Sequence, residues 1–134
     1  MKSPLDGIRI LDLTIFQNGP WATVMLSDMG ADVIKIERHG GEMMRQGSGR
    51  PAKKGHALAN MGLNHGKRCI VLDLKDADDK QIALKLVKRA DVFLENWRAG
   101  VGARLGLGYD DLAKINPGIV YASGSAHGYN NAYA

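Results

Sequence analysis

The chain has 134 residues, 45% hydrophobic and 24% charged, which suits one globular domain with one core. No apolar run is long enough to span a bilayer, the N-terminus lacks the apolar segment of a signal peptide, and the single Cys69 has no internal disulfide partner, so a reducing, cytoplasmic setting is expected. The net charge of +4 is uneven: residues 38–68 carry seven Lys/Arg against Glu42 alone, a local +6, while the rest of the chain sums to −2.

Residues 8–13 (Ile8, Arg9, Ile10, Leu11, Asp12, Leu13) form a β-rich run bounded by Gly7 and the Gly19-Pro20 turn, and are expected as the first strand. Pro20 suits the first turn of a helix, where a missing N–H costs nothing. Trp21, Val24, Met25 and Met29 recur at helical spacing and predict a buried apolar stripe, with Gly30 ending the helix. Residues 32–37 alternate and are β-branched, giving a second strand and so a parallel βαβ unit with a right-handed crossover.

From residue 39 to 66 the pattern dissolves into a long, basic, glycine-rich loop. A loop of that length is functional or disordered more often than idle. Its charge reads either as an ordinary solvated surface or as a landing surface for a phosphate-bearing ligand. Residues 57–61 predict a brief helical or extended piece within it. Residues 69–74 predict a third strand, placing Cys69 in a buried position with a structural role.

Asp76 is placed to cap the next helix, with Asp78 and Asp79 in its first turn and Lys85, Lys88 and Arg89 at its end, as the helix dipole favours. Ile82, Ala83, Leu86, Val87 and Ala90 form its expected buried face. Residues 91–96 predict a fourth strand. A glycine-rich connection leads to a short helix over 109–115, stopped by Asn116-Pro117-Gly118, and residues 119–123 predict a fifth strand. The order implies an α/β fold, an open parallel sheet with helices on both faces, whose ligands bind at the carboxyl ends of the strands.

Four stretches fall at those ends. Residues 16–20 lead from the first strand into a helix N-terminus, whose amides can hold an anion or simply make a turn. They lack G-x-G-x-x-G, which argues against NAD or FAD. Glu37-Arg38 follows the second strand, offering an acid for a ribose hydroxyl and a cation for a phosphate, or a plain surface ion pair. Leu72, Asp73, Leu74 and Lys75 follow the third, where Lys75 is either a point charge for a phosphate or solvated. Asn96, Trp97 and Arg98 follow the fourth, with Arg104 beyond. Trp97 could face a purine or pack in the core with about equal weight, and Arg104 could fork a phosphate. Each signal is weak alone. Converging on one sheet edge, they point to a purine ligand with several phosphates. No Cys/His spacing suggests a metal, and no nucleophile elbow accompanies Ser123, Ser125 and His127.

These residues also carry a resemblance. The runs 4–14, 26–37, 64–75, 90–100, 105–109 and 115–121, in order and with Gly19-Pro20, resemble the N-terminal part of the class III CoA-transferases, which include formyl-CoA transferase, carnitine CoA-transferases and α-methylacyl-CoA racemases. The resemblance implies a Rossmann-like large domain, incomplete here relative to the family. Residues 1–134 would form a single CoA-binding unit, with residues 39–66 as its basic loop. It implies coenzyme A or an acyl-CoA thioester as ligand and no metal. Gln17, Asn18, Arg38, Leu72, Asp73, Leu74, Lys75, Asn96, Trp97, Arg98 and Arg104 would contact CoA.

In the family an aspartate of a Gly-Asp motif attacks the acyl-CoA carbonyl to give a mixed anhydride. That motif would lie beyond Ala134, so no catalytic residue is assigned here and independent enzyme activity is left open. Asn18 stands where a small alanine is usual, and residues 123–128 depart from Ser-x-Ser-Gly-aromatic-Gly. The resemblance further implies interlocked subunits, hence a homo-oligomer, a dimer with exchanged elements being one form.

Three readings follow: a CoA-binding module inactive alone, one component of a transferase completed in trans by a separate polypeptide, and an oligomerising module without ligand. Nucleic-acid binding through residues 38–68 ranks last, because that segment lacks stacking aromatics and a recognition helix. A membrane partner is not expected.

Overall fold

The computed structural model describes residues 2–45 and 58–128. Five strands, β1 (Arg9–Asp12), β2 (Asp32–Glu37), β3 (Arg68–Val71), β4 (Val92–Glu95) and β5 (Val120–Ser123), form one sheet in the order β3-β2-β1-β4-β5. Every pairing is parallel. The helices are α1 (Asn18–Asp28), α2 (Leu58–Asn64), α3 (Ala77–Val87), α4 (Val101–Leu105) and α5 (Tyr109–Ile115), with a 3₁₀ turn at Met43–Arg45. Residues 46–57, the middle of the expected long loop and the first residue of its expected 57–61 piece, lie outside the described residues. Among those described, no helix is long and apolar enough to cross a membrane.

Alternation along the strands divides the core into two layers. Leu11, Ile34, Ile36 and Phe93 meet Ala83 and Val87 of α3, Leu112 of α5 and Leu107 of the turn between α4 and α5, forming the larger layer. Ile10, Val33 and Ala31 face the other way, with Leu26 of α1 against them. The same alternation carries Asp12 and Lys35 onto this second face, two positions beyond Ile10 and Val33, where they are register partners. The α1 face is therefore apolar at its amino end and charged at its carboxyl end.

Local chemistry accounts for the element boundaries. Asp76 caps α3, its carboxylate accepting from the amides of Asp78 and Asp79 at 2.9 and 3.1 Å. Gly30 follows the C-cap of α1 with φ +99°, a conformation that a side chain would strain. Gly19 is required by close approach: a methyl group there would sit 2.2 Å from Cβ of the buried Thr14.

Three expectations are corrected. The apolar stripe of α1 is not buried: Trp21, Met25 and Met29 are exposed, and Thr23 and Val24 with Gly19 and Pro20 make the inward face. Pro20 does lie in the first turn of α1, but the close approach of Gly19 to Thr14 turns the Gly19, Pro20, Thr23 and Val24 side toward the sheet. Ile82 of α3 is likewise exposed, and Leu84 packs inward in its place. Cys69 is exposed, because β3 lies at the sheet edge with one side unpaired. Partial burial and the nearby Glu37 carboxylate push its thiol up, so it is not an activated thiolate. The glycine-rich connection after β4 also contains a helix, α4, that the sequence pattern did not reveal.

Candidate functional site

The strand order reverses between β1 and β4, and in open parallel sheets the crevice at such a reversal is the ordinary ligand site. The loops after β1 and β4 flank it. Asn96 joins them: its Oδ1 accepts from the Ile15 amide at 2.9 Å and its Nδ2 donates to the Ile15 carbonyl at 2.8 Å. Glu95, buried at the end of β4, accepts from the Trp97 amide at 2.6 Å and turns the chain into the second loop.

A cleft of about 310 Å³ opens at the carboxyl ends of β1, β2 and β3. Leu13, Ile15, Ile36, Met43, Leu72, Leu74, Trp97 and Leu105 give it apolar walls, and Arg38, Asp73 and Lys75 stand among its lining residues. Beside it lies a more polar cleft bounded by Asn96, Trp97, Arg98, Arg104 and residues 124–128. Trp97 belongs to both. It packs edge-on against Phe93 at 6.2 Å, so its two anticipated roles, core packing and cleft wall, coincide. A third cleft, between α1 and α2, holds Gln17, Asn18 and Trp21.

All eleven expected ligand residues therefore lie along one rim of the sheet. Arg38, the Leu72, Asp73, Leu74 and Lys75 run, and Trp97 share the apolar cleft. Asn96, Arg98 and Arg104 share the polar one with Trp97. Gln17 sits apart, in the third, whereas Asn18 lines both the third and a small pocket shared with Asn96. Arg38, Lys75, Arg98 and Arg104 are exposed, and none has a carboxylate partner among the described residues. Glu37 is placed differently from the ribose acid first considered. It is buried and bound by Arg45 at 2.6 and 2.7 Å, and the Glu42 amide donates to it at 3.2 Å. Burial would raise its pKa, but Arg45 and that amide outweigh burial and hold it below its ordinary value.

Behind the rim lies a buried charge cluster that no sequence motif marks. Asp12 is fully buried. Its Oδ1 accepts from the Thr14 amide and hydroxyl at 2.9 and 2.5 Å, and its Oδ2 from Thr23 Oγ1 at 2.6 Å and Lys67 Nζ at 3.0 Å. Lys35 Nζ lies 3.8 Å from the same oxygen and donates to the Thr14 carbonyl at 2.8 Å. Lys67 also donates to the Pro20 carbonyl and to Asn64 Oδ1, tying α1 and α2 to β1. Desolvation alone would raise the pKa of Asp12, but Lys35, Lys67 and the two hydroxyls outweigh it and lower that pKa. The available signal was a charged residue in a strand's inward register beside a lysine.

Comparison with known proteins decides the family. The family model described as CoA-transferase family III matches residues 5–134. The chain belongs to that family. Acetyl-CoA:oxalate CoA-transferase of Acetobacter aceti is 45% identical over 99% of this chain and 34% of its own length. The crystal structure of Rv3272 from Mycobacterium tuberculosis, in its orthorhombic form, superposes with TM-score 0.89 at 42% identity, covering 98% of this chain and 35% of that one. A CAIB/BAIF family protein from Brucella suis superposes with TM-score 0.85 at 34% identity, covering 92% and 33%. The chain thus spans about a third of the length of these family III relatives, matching their N-terminal region.

Proposed function

We propose that residues 1–134 form a single CoA-binding unit, taking coenzyme A or an acyl-CoA along the carboxyl rim of the sheet. In this reading the reaction chemistry depends on residues outside the sequence, supplied by the remainder of a transferase or by a separate polypeptide. The observation that carries the proposal is the pairing of an apolar cleft with four exposed cations on the same rim, none bound to a carboxylate among the described residues.

The division of labour follows from chemistry. An adenine ring has flat apolar faces and fits the Leu72, Leu74 and Trp97 side of the apolar cleft. The phosphates need charge-assisted donors, which Arg38, Lys75, Arg98 and Arg104 supply at the surface. The thioester arm then extends toward the Gln17 and Asn18 cleft, where the α1 amino end presents free amides. Gln17 makes no side-chain cap bond and keeps its amide available.

Calorimetric titration of the chain with CoA tests this. Binding is expected. Arg38→Ala and Lys75→Ala should each weaken it by about tenfold or more, since a hydrogen bond to a charged group contributes about 1.5–3 kcal/mol. Absence of heat at millimolar CoA overturns the reading, and acyl transfer by the chain alone overturns the assignment of the chemistry to other residues.

The exposed Trp21, Met25 and Met29 stripe supports a second reading, self-association, because apolar surface of that kind on a helix drives contact between copies. Sedimentation across a concentration series should then show a homo-oligomer. A single monomeric species throughout rejects it.

A further inference from the structure

Phe16 is the one non-glycine residue with positive φ among those described, at +63°. A bulky side chain does not hold that conformation without help. Its ring gives little, being 46% exposed. The help comes from the backbone side: the Phe16 amide donates to Glu42 Oε1 at 2.7 Å. Immediately after Phe16 come Gln17, the N-cap of α1, and Asn18.

Glu42 is itself unusual. It is 3% exposed, yet no Lys or Arg lies within ion-pair distance of its carboxylate among the described residues. Its other oxygen accepts from the buried Asn60 of α2 at 3.1 Å. Its backbone amide is fixed by Glu37, which Arg45 clamps in turn. A carboxylate is costly to bury without a cation, and this one is spent on two neutral donors. The donors adjoin the two walls of the cleft that holds Gln17 and Asn18: Phe16 immediately precedes Gln17 on one wall, and Asn60 belongs to α2, whose Ala59, Gly62 and Leu63 form the other.

We infer that Glu42 is a positioning residue: it locks Phe16 in the left-handed conformation and so sets the Gln17-Asn18 segment for ligand. It need not touch the ligand. The inference rests on the CoA-binding reading above for what the segment does, but the lock itself is independent of that reading.

Three variants of the whole chain test it by CoA calorimetry. Glu42→Ala should raise the dissociation constant at least about tenfold, through loss of a charge-assisted bond to a strained loop. Glu42→Gln should stay within about threefold of wild type, since its Oε1 still accepts from Phe16 and a half-turn of the Asn60 amide restores the second bond. Adding Phe16→Gly to Glu42→Ala should recover most of the loss, because glycine adopts positive φ unaided. A merely structural role for Glu42 would not be rescued by a glycine at position 16.

Wild-type affinity in Glu42→Ala, or a double variant no better than Glu42→Ala, overturns the inference. If wild type binds no CoA, the ligand reading fails, and hydrogen exchange then decides the lock. The Phe16 amide should exchange at least about tenfold faster in Glu42→Ala, relative to the Leu11 amide of β1, and near the wild-type rate in Glu42→Gln. Unchanged exchange in Glu42→Ala overturns the lock.

Discussion

Asp12→Asn is expected to remove about 3–5 kcal/mol of folding stability, the usual loss when one member of a buried charge cluster is neutralised and its partners stay. Asp12 is fully buried, and the side chains of Lys35 and Lys67 are 2% and 1% exposed. An asparagine of the same shape would turn an amide toward the ammonium of Lys67 or the Thr14 amide, pairing donor with donor. Two cations would remain buried without an anion. Since domains of this size are stable by about 5–15 kcal/mol, the loss is a large fraction of the whole. The check is denaturant unfolding. Asp12→Asn/Lys67→Met should be more stable than Asp12→Asn alone, because it removes one of the stranded charges. An Asp12→Asn variant within about 1 kcal/mol of wild type would show that the cluster does not hold α1 and α2 to the sheet.

Asp12, with two further ion-paired carboxylates, fixes the direction of the acid limit. Asp12, Asp32 and Glu37 have folded-state pKa values below their ordinary values of 3.8, 3.8 and 4.5. In each, burial raises the value but the basic partners prevail: Lys35 and Lys67 for Asp12, Arg9 and Arg68 for Asp32, Arg45 for Glu37. A carboxylate with a depressed folded pKa contributes stability that is present above its unfolded value and lost as pH falls through the folded one. The melting temperature of wild type should therefore fall below about pH 4, and Asp12→Asn should show a shallower fall. Lys67 acts oppositely at the alkaline end. Burial, only partly offset by Asp12, depresses its pKa below 10.5, so its charged form is the one the fold disfavours.

The sequence made the frame legible and left the joints obscure, for physical reasons. β2, α5 and the cap of α3 emerged at their observed bounds because alternation, helical spacing and an Asp before two further Asp residues are local signals. The rim residues were legible because parallel strands deliver their following loops to one edge whatever the loops contain. Glu42, Lys67 and Phe16 were not. Glu42 read as the lone acid of a basic loop, and only the meeting of that loop with the turn after β1 gives its carboxylate a task. The exposed α1 stripe failed for a related reason. Helical spacing predicts which residues share a face but not which face meets the sheet, and the close fit of Gly19 to Thr14 turned the other one inward. Cys69 was misplaced because a strand's composition does not say whether it lies at an edge.

Phe93→Ala should cost about 3–5 kcal/mol, the range for emptying a buried aromatic site. Phe93 is 1% exposed, pairs with Leu11 across the β1/β4 reversal, and stacks on Tyr121 of β5 at 5.3 Å and 15°. It also stands under Trp97. The cavity would thus open directly beneath the wall shared by both rim clefts, and the effect should reach ligand binding as well as stability. In a Trp21→Phe background, Trp97 emission should shift to the red in Phe93→Ala as water reaches the ring. Phe93→Leu keeps most of the volume and should lose less than about 1.5 kcal/mol, with CoA binding near wild type. If Phe93→Ala lowered stability but left both Trp97 emission and CoA affinity unchanged, Trp97 would be held by its own loop, through the Glu95 bond to its amide, and not by the core beneath it.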